Sequence, residues 1–211
     1  VGVFVAPSVD HVRAAIDARI HRHDYPEQRL QESITDGERL LTVSGERAGQ
    51  VNGLTVLDLG DYPFGFPVRV TATTHAGEEG LLNIEREVEM SGPIHDKGVL
   101  ILHGYLSALF AHIAPLALNA SIVFEQEYMG VEGDSASCAE LFVLLSSLAG
   151  LPLKQGIAVT GAVNQHGELF HVVDAGGRRG RRSFIWNTHG RRQFVGIEAD
   201  QRHIEAVGVQ N

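Results

Sequence analysis

Ser135 lies in the part of the sequence whose residue types and spacing best suit chemistry. Residues 133–137, Gly-Asp-Ser-Ala-Ser, follow a β-rich run at 120–124 and precede an amphipathic segment at 138–148. A hydroxyl at the start of a helix lies beside free backbone N–H groups and the positive end of the helix dipole. These donors suit a nucleophile, because attack on a carbonyl group creates an oxyanion that they can hold. Serine is also a typical helix N-cap, so position alone leaves both capping and catalysis open.

The composition sets broad limits on the class of protein. The chain has 211 residues, of which 44% are hydrophobic, which is enough for one ordinary core. Its net charge of −9 argues against a nucleic-acid partner, because binding phosphate requires a basic face. The sequence has neither a long apolar run that predicts a membrane span nor the pattern of a signal peptide at its first residues. We therefore expect a cytoplasmic protein without a membrane span.

Metal and thiol chemistry find little support in the sequence. Cys138 is the only cysteine, which excludes an internal disulfide and a cluster of thiolate ligands. His103 and His112 lie in one apolar segment without a flanking glutamate, and their spacing matches no metal motif. We interpret them as core or surface histidines. We expect no metal ion and no cofactor in this chain.

Hydrophobic periodicity predicts the helices that must position the serine. Residues 9–34 indicate a helix that Pro26 interrupts or restarts. Residues 98–118 are apolar over a helical length and predict a buried helix. The helix at 138–148 should end at Gly150, because glycine is the usual residue just past a helix.

Strand patterns complete the prediction of the fold class. They occur at residues 39–43, 50–57, 68–74, 81–90, 120–127 and 157–163. Mixed strands and helices in this order are typical of α+β proteins. The sequence therefore predicts an α+β fold with small mixed sheets and packed helices, preceded by a helical linker.

Several separated motifs resemble the proteolytic domain of Lon proteases. Residues 131–137, Val-Glu-Gly-Asp-Ser-Ala-Ser, and the segment 151–163 carry the likeness most clearly. Residues 49–56 and 92–100 are also similar to this family, in the same order and spacing. The likeness covers about residues 49–167 and is strongest to the archaeal and Lon-B-like branch.

The resemblance implies a Ser–Lys dyad that hydrolyses peptide bonds. It implies that Ser135 is the nucleophile and that Thr160 orients the lysine amine. A desolvated lysine can lose its proton near neutral pH and take up the proton of the serine hydroxyl. Backbone N–H groups near the serine would form the oxyanion hole, and nearby charges would tune the site. These near-site residues are Glu132, Gly133, Asp134 and Ala136.

The family also implies a ring of six subunits, fed with unfolded or damaged proteins by an ATP-driven unfoldase. No G-x-x-x-x-G-K-[ST] motif for nucleotide phosphates occurs in the sequence. We therefore expect ATP and Mg²⁺ only in an ATPase module upstream. On this interpretation residues 1–48 are the end of the helical region that joins the two modules, residues 49–168 are the proteolytic domain, and residues 169–211 diverge.

The sequence departs from the family at the expected base. The family spacing places the lysine at position 178, where this chain has Arg178. A guanidinium group stays protonated in proteins, so Arg178 cannot accept the serine proton. Residues 169–211 also carry seven arginines against four acidic residues and lose the strand and helix periodicity. We interpret this segment as a wrong reading frame or a divergent tail, and a basic tail that binds an acidic partner is the weaker alternative.

Two other functions remain open at this point. A chain that keeps the fold without the base would be a ring-forming pseudoprotease or assembly subunit. Alternatively, residues 133–137 imitate the G-x-S-x-G nucleophile elbow of α/β-hydrolases, with His166 or His171 as base and Asp174 as acid. Position 137 is serine rather than glycine, and the order of these residues does not fit Ser, Asp, His, so the hydrolase is disfavoured.

Overall fold

The computed structural model describes residues 6–60, 62–77, 80–112, 118–170 and 186–187. They form helices and mixed sheets, which confirms the predicted α+β class. The helices are α1 (Val9–His23), α2 (Tyr25–Thr35), α3 (Ile84–Glu87), α4 (Pro93–Phe110) and α5 (Ser137–Ala149). The strands are β1 (Glu46–Arg47), β2 (Gln50–Asp58), β3 (Pro63–Ala76), β4 (Gly80–Asn83), β5 (Leu118–Phe124), β6 (Leu153–Lys154), β7 (Ile157–Val159), β8 (Ala162–Val163), β9 (Leu169–Phe170) and β10 (Trp186–Asn187).

A six-stranded sheet organises the strands, in the order β10-β7-β2-β3-β5-β4. β3 and β5 are antiparallel, whereas β4 runs parallel to β5 and β7 runs parallel to β2. Two small two-stranded sheets pair β1 with β6 and β8 with β9. Both parallel and antiparallel pairs therefore occur, as small mixed sheets require.

The core lies between this sheet and the helices α4 and α5. Alternate residues of β3 from Phe64 to Ala72 are buried, among them Val68 and Val70, as the two-residue period of a strand requires. From the helices, Leu102 of α4 and Leu144 of α5 are fully buried in the same cluster. The helix that follows the serine segment is therefore anchored in the core along its buried face.

The first compact unit of the chain comprises Val1–Leu40 and Val56–Phe66, and the second comprises Leu41–Thr55 and Pro67–Asn211. In the first unit, α1 begins with a capping box between Ser8 and His11 and buries none of its residues. α2 starts with Pro26 in its first turn, so proline opens a second helix here. The three-part domain division drawn from the sequence stays a prediction.

Several predicted helices and strands are absent from the structure or have other bounds than the sequence predicted. Residues 39–43 do not form a strand, and β1 lies just beyond them. The predicted strand 81–90 is only β4 followed by the short helix α3, because the Asn83 side chain accepts a hydrogen bond from the Arg86 N–H and caps that helix. The alternating polar residues of this stretch come from a strand end and a helical turn.

The helix predicted at 98–118 begins earlier and ends earlier, at Pro93 and Phe110. Pro93 suits the first turn, because its missing N–H would have no partner there. Leu118 already belongs to β5, and residues 113–117 lie outside the described ranges. No helix within the described residues is both long and apolar enough to cross a membrane.

Candidate active site

Ser135 lies in the turn that leads into α5, and it is half-buried. The helix N-cap is Ala136, without a side-chain hydrogen bond, so the interpretation of Ser135 as an N-cap is wrong. Ser137 takes part in the turn instead, because its Oγ donates to the Asp134 carbonyl at 2.7 Å. Among the described residues, no group hydrogen bonds the Ser135 hydroxyl. The hydroxyl is therefore not occupied by the helix that follows it.

The segment after β7 holds the backbone of Ser135. The Gly161 N–H donates to the Ser135 carbonyl at 2.7 Å, and the Thr160 Oγ1 donates to the same oxygen at 3.2 Å. The Cys138 N–H returns a bond to the Gly161 carbonyl at 3.0 Å. The strand predicted at 157–163 is accordingly split into β7 and β8 by Thr160 and Gly161. This break brings Thr160 beside Ser135.

Gly133 shapes the turn before the serine. Its φ is +83°, in the left-handed region where a Cβ is strained and glycine is favoured. Within the described part of the chain, no acceptor faces the backbone N–H groups of Gly133, Asp134, Ser135 and Ala136. These N–H groups lie at the start of α5, where the helix dipole also favours negative charge. The turn therefore presents the kind of donors that an oxyanion needs.

The two acidic side chains of the segment are exposed. Glu132 lies over Gly92, since a Cβ on that glycine would come within 1.2 Å of the Glu132 carboxylate. Asp134 packs toward Gly98 of α4, whose Cβ would lie 3.4 Å from the Asp134 Cβ. Both side chains are thus placed by close approach to α4 and to the residue before it.

A cleft of about 420 Å³ opens next to the serine segment. Residues 89–92 line one side and residues 128–132 the other. The exposed side chains of Tyr128 and Met129 give it an apolar rim. In the part of the chain that the structure describes, no three His, Cys, Asp or Glu side chains are grouped so that they could hold a metal ion.

A buried polar cluster that the sequence did not indicate lies behind the serine segment. His95 and Glu140 are each 1% exposed in their side chains, and His95 Nε2 lies 3.5 Å from Glu140 Oε1. The Asn83 Nδ2 lies 3.1 Å from His95 Nε2 and 3.4 Å from Glu140 Oε1. Glu85 sits nearby and accepts a hydrogen bond from the Phe124 N–H at 2.7 Å.

Burial controls the protonation of this cluster. Desolvation, together with the charge of Glu85, raises the pKa of Glu140 to about 8. Burial also raises the pKa of Glu85, although the Phe124 N–H opposes this shift. Burial lowers the pKa of His95, while Asp96, the Gly133 backbone and Glu132 raise it. Near neutral pH the cluster therefore holds a protonated Glu140 and an uncharged imidazole.

One signal could have found Glu140 in advance. It lies three and four residues before Val143 and Leu144, on the apolar face of the predicted helix. A carboxylate on such a face needs a buried partner. His95 gave no comparable signal, because its segment was not predicted to be helical.

Three residues of the sequence predictions lie outside the described ranges, namely Arg178, His171 and Asp174. His166 is described and lies exposed in a turn, where its N–H donates to the Asn164 Oδ1. The hydrolase alternative also conflicts with the fold. A nucleophile elbow joins strand and helix by a sharp turn, whereas β5 ends at Phe124 and α5 begins only at Ser137.

Comparison with known proteins decides the family. A Lon protease homolog of Escherichia coli is 38% identical over 162 residues, which cover 76% of this chain and 28% of that protein. The chain contains a Lon-type protease domain. A Lon protease homolog of Haemophilus influenzae is 37% identical over 157 residues, covering 74% of this chain and 26% of that protein. An archaeal Lon protease of Archaeoglobus fulgidus is 27% identical over 135 residues, covering 64% and 21%.

These relatives confirm the resemblance that the motifs around Ser135 predicted. No protein-family model matches the sequence. The chain spans only about a quarter of the length of the first curated relatives, 28% and 26%. The roles of Ser135, Thr160 and Arg178 in the Lon-type protease domain stay predictions.

Proposed function

We propose that this Lon-type protease domain carries an endopeptidase site with Ser135 as nucleophile. The observation that supports the proposal most directly is the fixed backbone of Ser135, held by Gly161 and Thr160, beside N–H groups of the turn that bind no acceptor among the described residues. In the reaction the Oγ attacks the peptide carbonyl carbon, and its proton passes to a base. The C–N bond then breaks, the amine leaves with that proton, and water hydrolyses the acyl-enzyme ester.

The substrate chain would lie in the cleft beside the serine segment. Tyr128 and Met129 offer apolar contacts to the side chains of an unfolded protein. Unfolded chains expose such apolar side chains, which folded proteins bury. Unfolded or damaged proteins are therefore the substrate class that we propose. We keep the cytoplasm as the proposed location.

The residue at the position of the base differs from that of the family. Arg178 occupies the position at which the family has lysine, and an arginine cannot accept the serine proton. Thr160 would orient the lysine amine if one were present. We therefore propose that the chain descends from an active Ser–Lys protease and that its hydrolysis is impaired at the base.

ATP and Mg²⁺ would belong to a separate ATPase module. Neither lysine of this chain, Lys97 or Lys154, stands in a phosphate-binding motif, so the residues present do not fit a nucleotide site. No step of the hydrolysis above depends on a nucleotide in this chain.

Labelling of the serine tests the proposal. We expect a fluorophosphonate probe to label Ser135 weakly in the natural chain, and Arg178→Lys to raise labelling and peptide hydrolysis by about 100-fold, the lower range for general base catalysis. Ser135→Ala in the Arg178→Lys background is the control and should lose both signals. Circular dichroism must show that every variant is folded.

The second candidate function is a non-catalytic, ring-forming assembly subunit. Arg178 in place of the base favours it. If Ser135 is labelled neither in the folded natural chain nor in folded Arg178→Lys, the nucleophile proposal fails and this alternative stands. Sedimentation analysis would then show whether the 22.9 kDa chain assembles into the expected ring of six.

A further inference from the structure

The residues just before α4 run alongside the residues that lead into the serine segment. The Val131 N–H donates to the Met90 carbonyl at 2.9 Å, and the Gly92 N–H donates to the Val131 carbonyl at 2.9 Å. Ser91 and Val131 form a parallel bridge. The two segments are therefore aligned in a fixed register just before residue 132.

Three residues of this region share one face at a spacing of three, namely Gly92, His95 and Gly98. The two glycines allow close approach, because a Cβ on Gly92 would meet the Glu132 carboxylate and a Cβ on Gly98 would lie 3.0 Å from the Ser137 Oγ. His95 lies between them, near enough to the Gly133 backbone for that peptide to raise the pKa of the imidazole. The imidazole is thus the side chain of this face that lies next to the middle of the serine segment.

Hydrogen bonds fix the orientation of the imidazole. The Asn83 Oδ1 accepts the Arg86 N–H, so the Asn83 Nδ2 is the atom that points to His95 Nε2. Because Nδ2 can only donate, Nε2 accepts and the ring proton sits on Nδ1. Nδ1–H is then the donor left for the Gly133 backbone.

We propose that His95 is a positioning residue, which holds the Gly133 peptide and through it the turn that carries Ser135. Asn83 and Glu140 hold the ring from behind, at 3.1 Å and 3.5 Å from Nε2. The importance of His95 for catalysis rests on the proposed function, whereas its effect on the position of residue 135 does not. The titratable groups that face the ring are Glu140 from α5 with Glu85 of α3 beyond it, Asp96 of its own helix, and Glu132 of the serine segment.

A thiol at position 135 tests this role without any peptidase activity. In the full chain, Ser135→Cys is alkylated with iodoacetamide, and the rate is measured from pH 6 to pH 10. The parent protein is the blank, because its single cysteine, Cys138, is buried and burial raises its pKa to about 12. The rate and the apparent thiol pKa then report the position of the turn.

Two amide variants in the Ser135→Cys background separate positioning from space filling. His95→Asn places an amide N–H near the place of Nδ1, whereas His95→Gln places it near Nε2. We expect His95→Gln to change the alkylation rate at least about fivefold, the factor that corresponds to one hydrogen bond. The apparent thiol pKa should shift as well. The alkylation rate of the His95→Asn variant should stay within about twofold of the rate of the Ser135→Cys parent.

Leu102→Ala on the same helix is the control for lost stability, because Leu102 is fully buried in the core and lies seven residues after His95. It should lower the free energy of unfolding and leave alkylation under native conditions unchanged. Equal rates and pKa values in the His95→Gln and His95→Asn variants would overturn the proposal, as would a matching change in Leu102→Ala. Either result leaves the Arg178→Lys test of the nucleophile unaffected.

Discussion

At the scale of single residues, the geometry of Ser135 is set by its backbone. Its carbonyl receives two hydrogen bonds from the next segment, from Gly161 and Thr160. Its hydroxyl is left out of the cap of α5, because Ala136 holds the capping position. The same short turn thus combines a fixed main chain with a side chain that the helix does not use.

Gly133 should resist substitution although space is available around it. Among the described residues, a Cβ there would meet no atom within 4 Å, but φ is +83°. Gly133→Ala should therefore lower the free energy of unfolding by about 1–2 kcal/mol, the cost of the left-handed conformation. Gly104→Ala is the matched control, because Gly104 is helical and equally open, and it should stabilise α4 by about 0.5–1 kcal/mol. Urea unfolding measures both, and equal effects would contradict the argument.

Glu140 should make stability fall as the pH rises. Its pKa is about 8 in the folded chain against an ordinary value of 4.5, so the folded state binds the extra proton between these values. His95 acts in the opposite direction, but only below its ordinary pKa of 6.5. Between pH 6.5 and pH 8, the natural chain should lose about 1–2 kcal/mol of unfolding free energy relative to Glu140→Gln. Urea unfolding at the two pH values measures this, and a constant difference would refute it.

The sequence alone led to Ser135 but not to the residues behind it. The motif around the serine is local and could be recognised in the chain. The His95–Glu140 pair joins two helices that are far apart in the sequence. His95 lies in the first turn of α4, and the sequence predicted that this helix begins only at residue 98. Contacts of this kind depend on tertiary packing, which periodicity does not reveal.

At the scale of elements, α5 is the best anchored part of the site. Its bounds, Ser137–Ala149, agree closely with the predicted 138–148, because Gly150 ends it with φ at +64°. Prediction failed at β4 and α3, where Asn83 turns an apparent strand into a helix start. Side-chain capping and burial decided the outcome there, rather than propensity.

The anchoring of α5 can be measured with two leucines. Leu144 is fully buried, whereas Leu148 is 37% exposed on the same helix. Leu144→Ala should lower the free energy of unfolding by about 2–5 kcal/mol through lost burial and the cavity that it leaves. Leu148→Ala should cost less than about 1.5 kcal/mol. Chemical denaturation followed by circular dichroism gives both values, and similar losses would show that α5 is not anchored through Leu144.

At the scale of the whole molecule, the chain corresponds to about a quarter of its relatives, 28% of the Escherichia coli protein. Its family-like region and its arginine-rich residues 169–211 differ in charge and pattern. A polypeptide whose likeness to a family ends abruptly can arise when the coding frame changes. The alternative is a tail that diverged residue by residue.

The coding DNA distinguishes these origins. We expect another reading frame, downstream of the codon for Glu168, to encode a G-G-x-x-E-K segment that places lysine at the position of Arg178. Sequencing the gene and translating all three forward frames is sufficient. Frames that contain no such segment would identify residues 169–211 as a divergent tail.

The bond between Gly161 and Ser135 also has a consequence for the order in which the site is made. A chain is synthesised from its N-terminus, so the Ser135 carbonyl has no partner until the ribosome has added the segment with Thr160, 25 residues later. That segment precedes residue 169, from which the sequence predicts a divergent segment. A product altered only beyond this point still receives the hydrogen bonds that fix its serine during synthesis. What it loses is the later stretch in which the resemblance places the base.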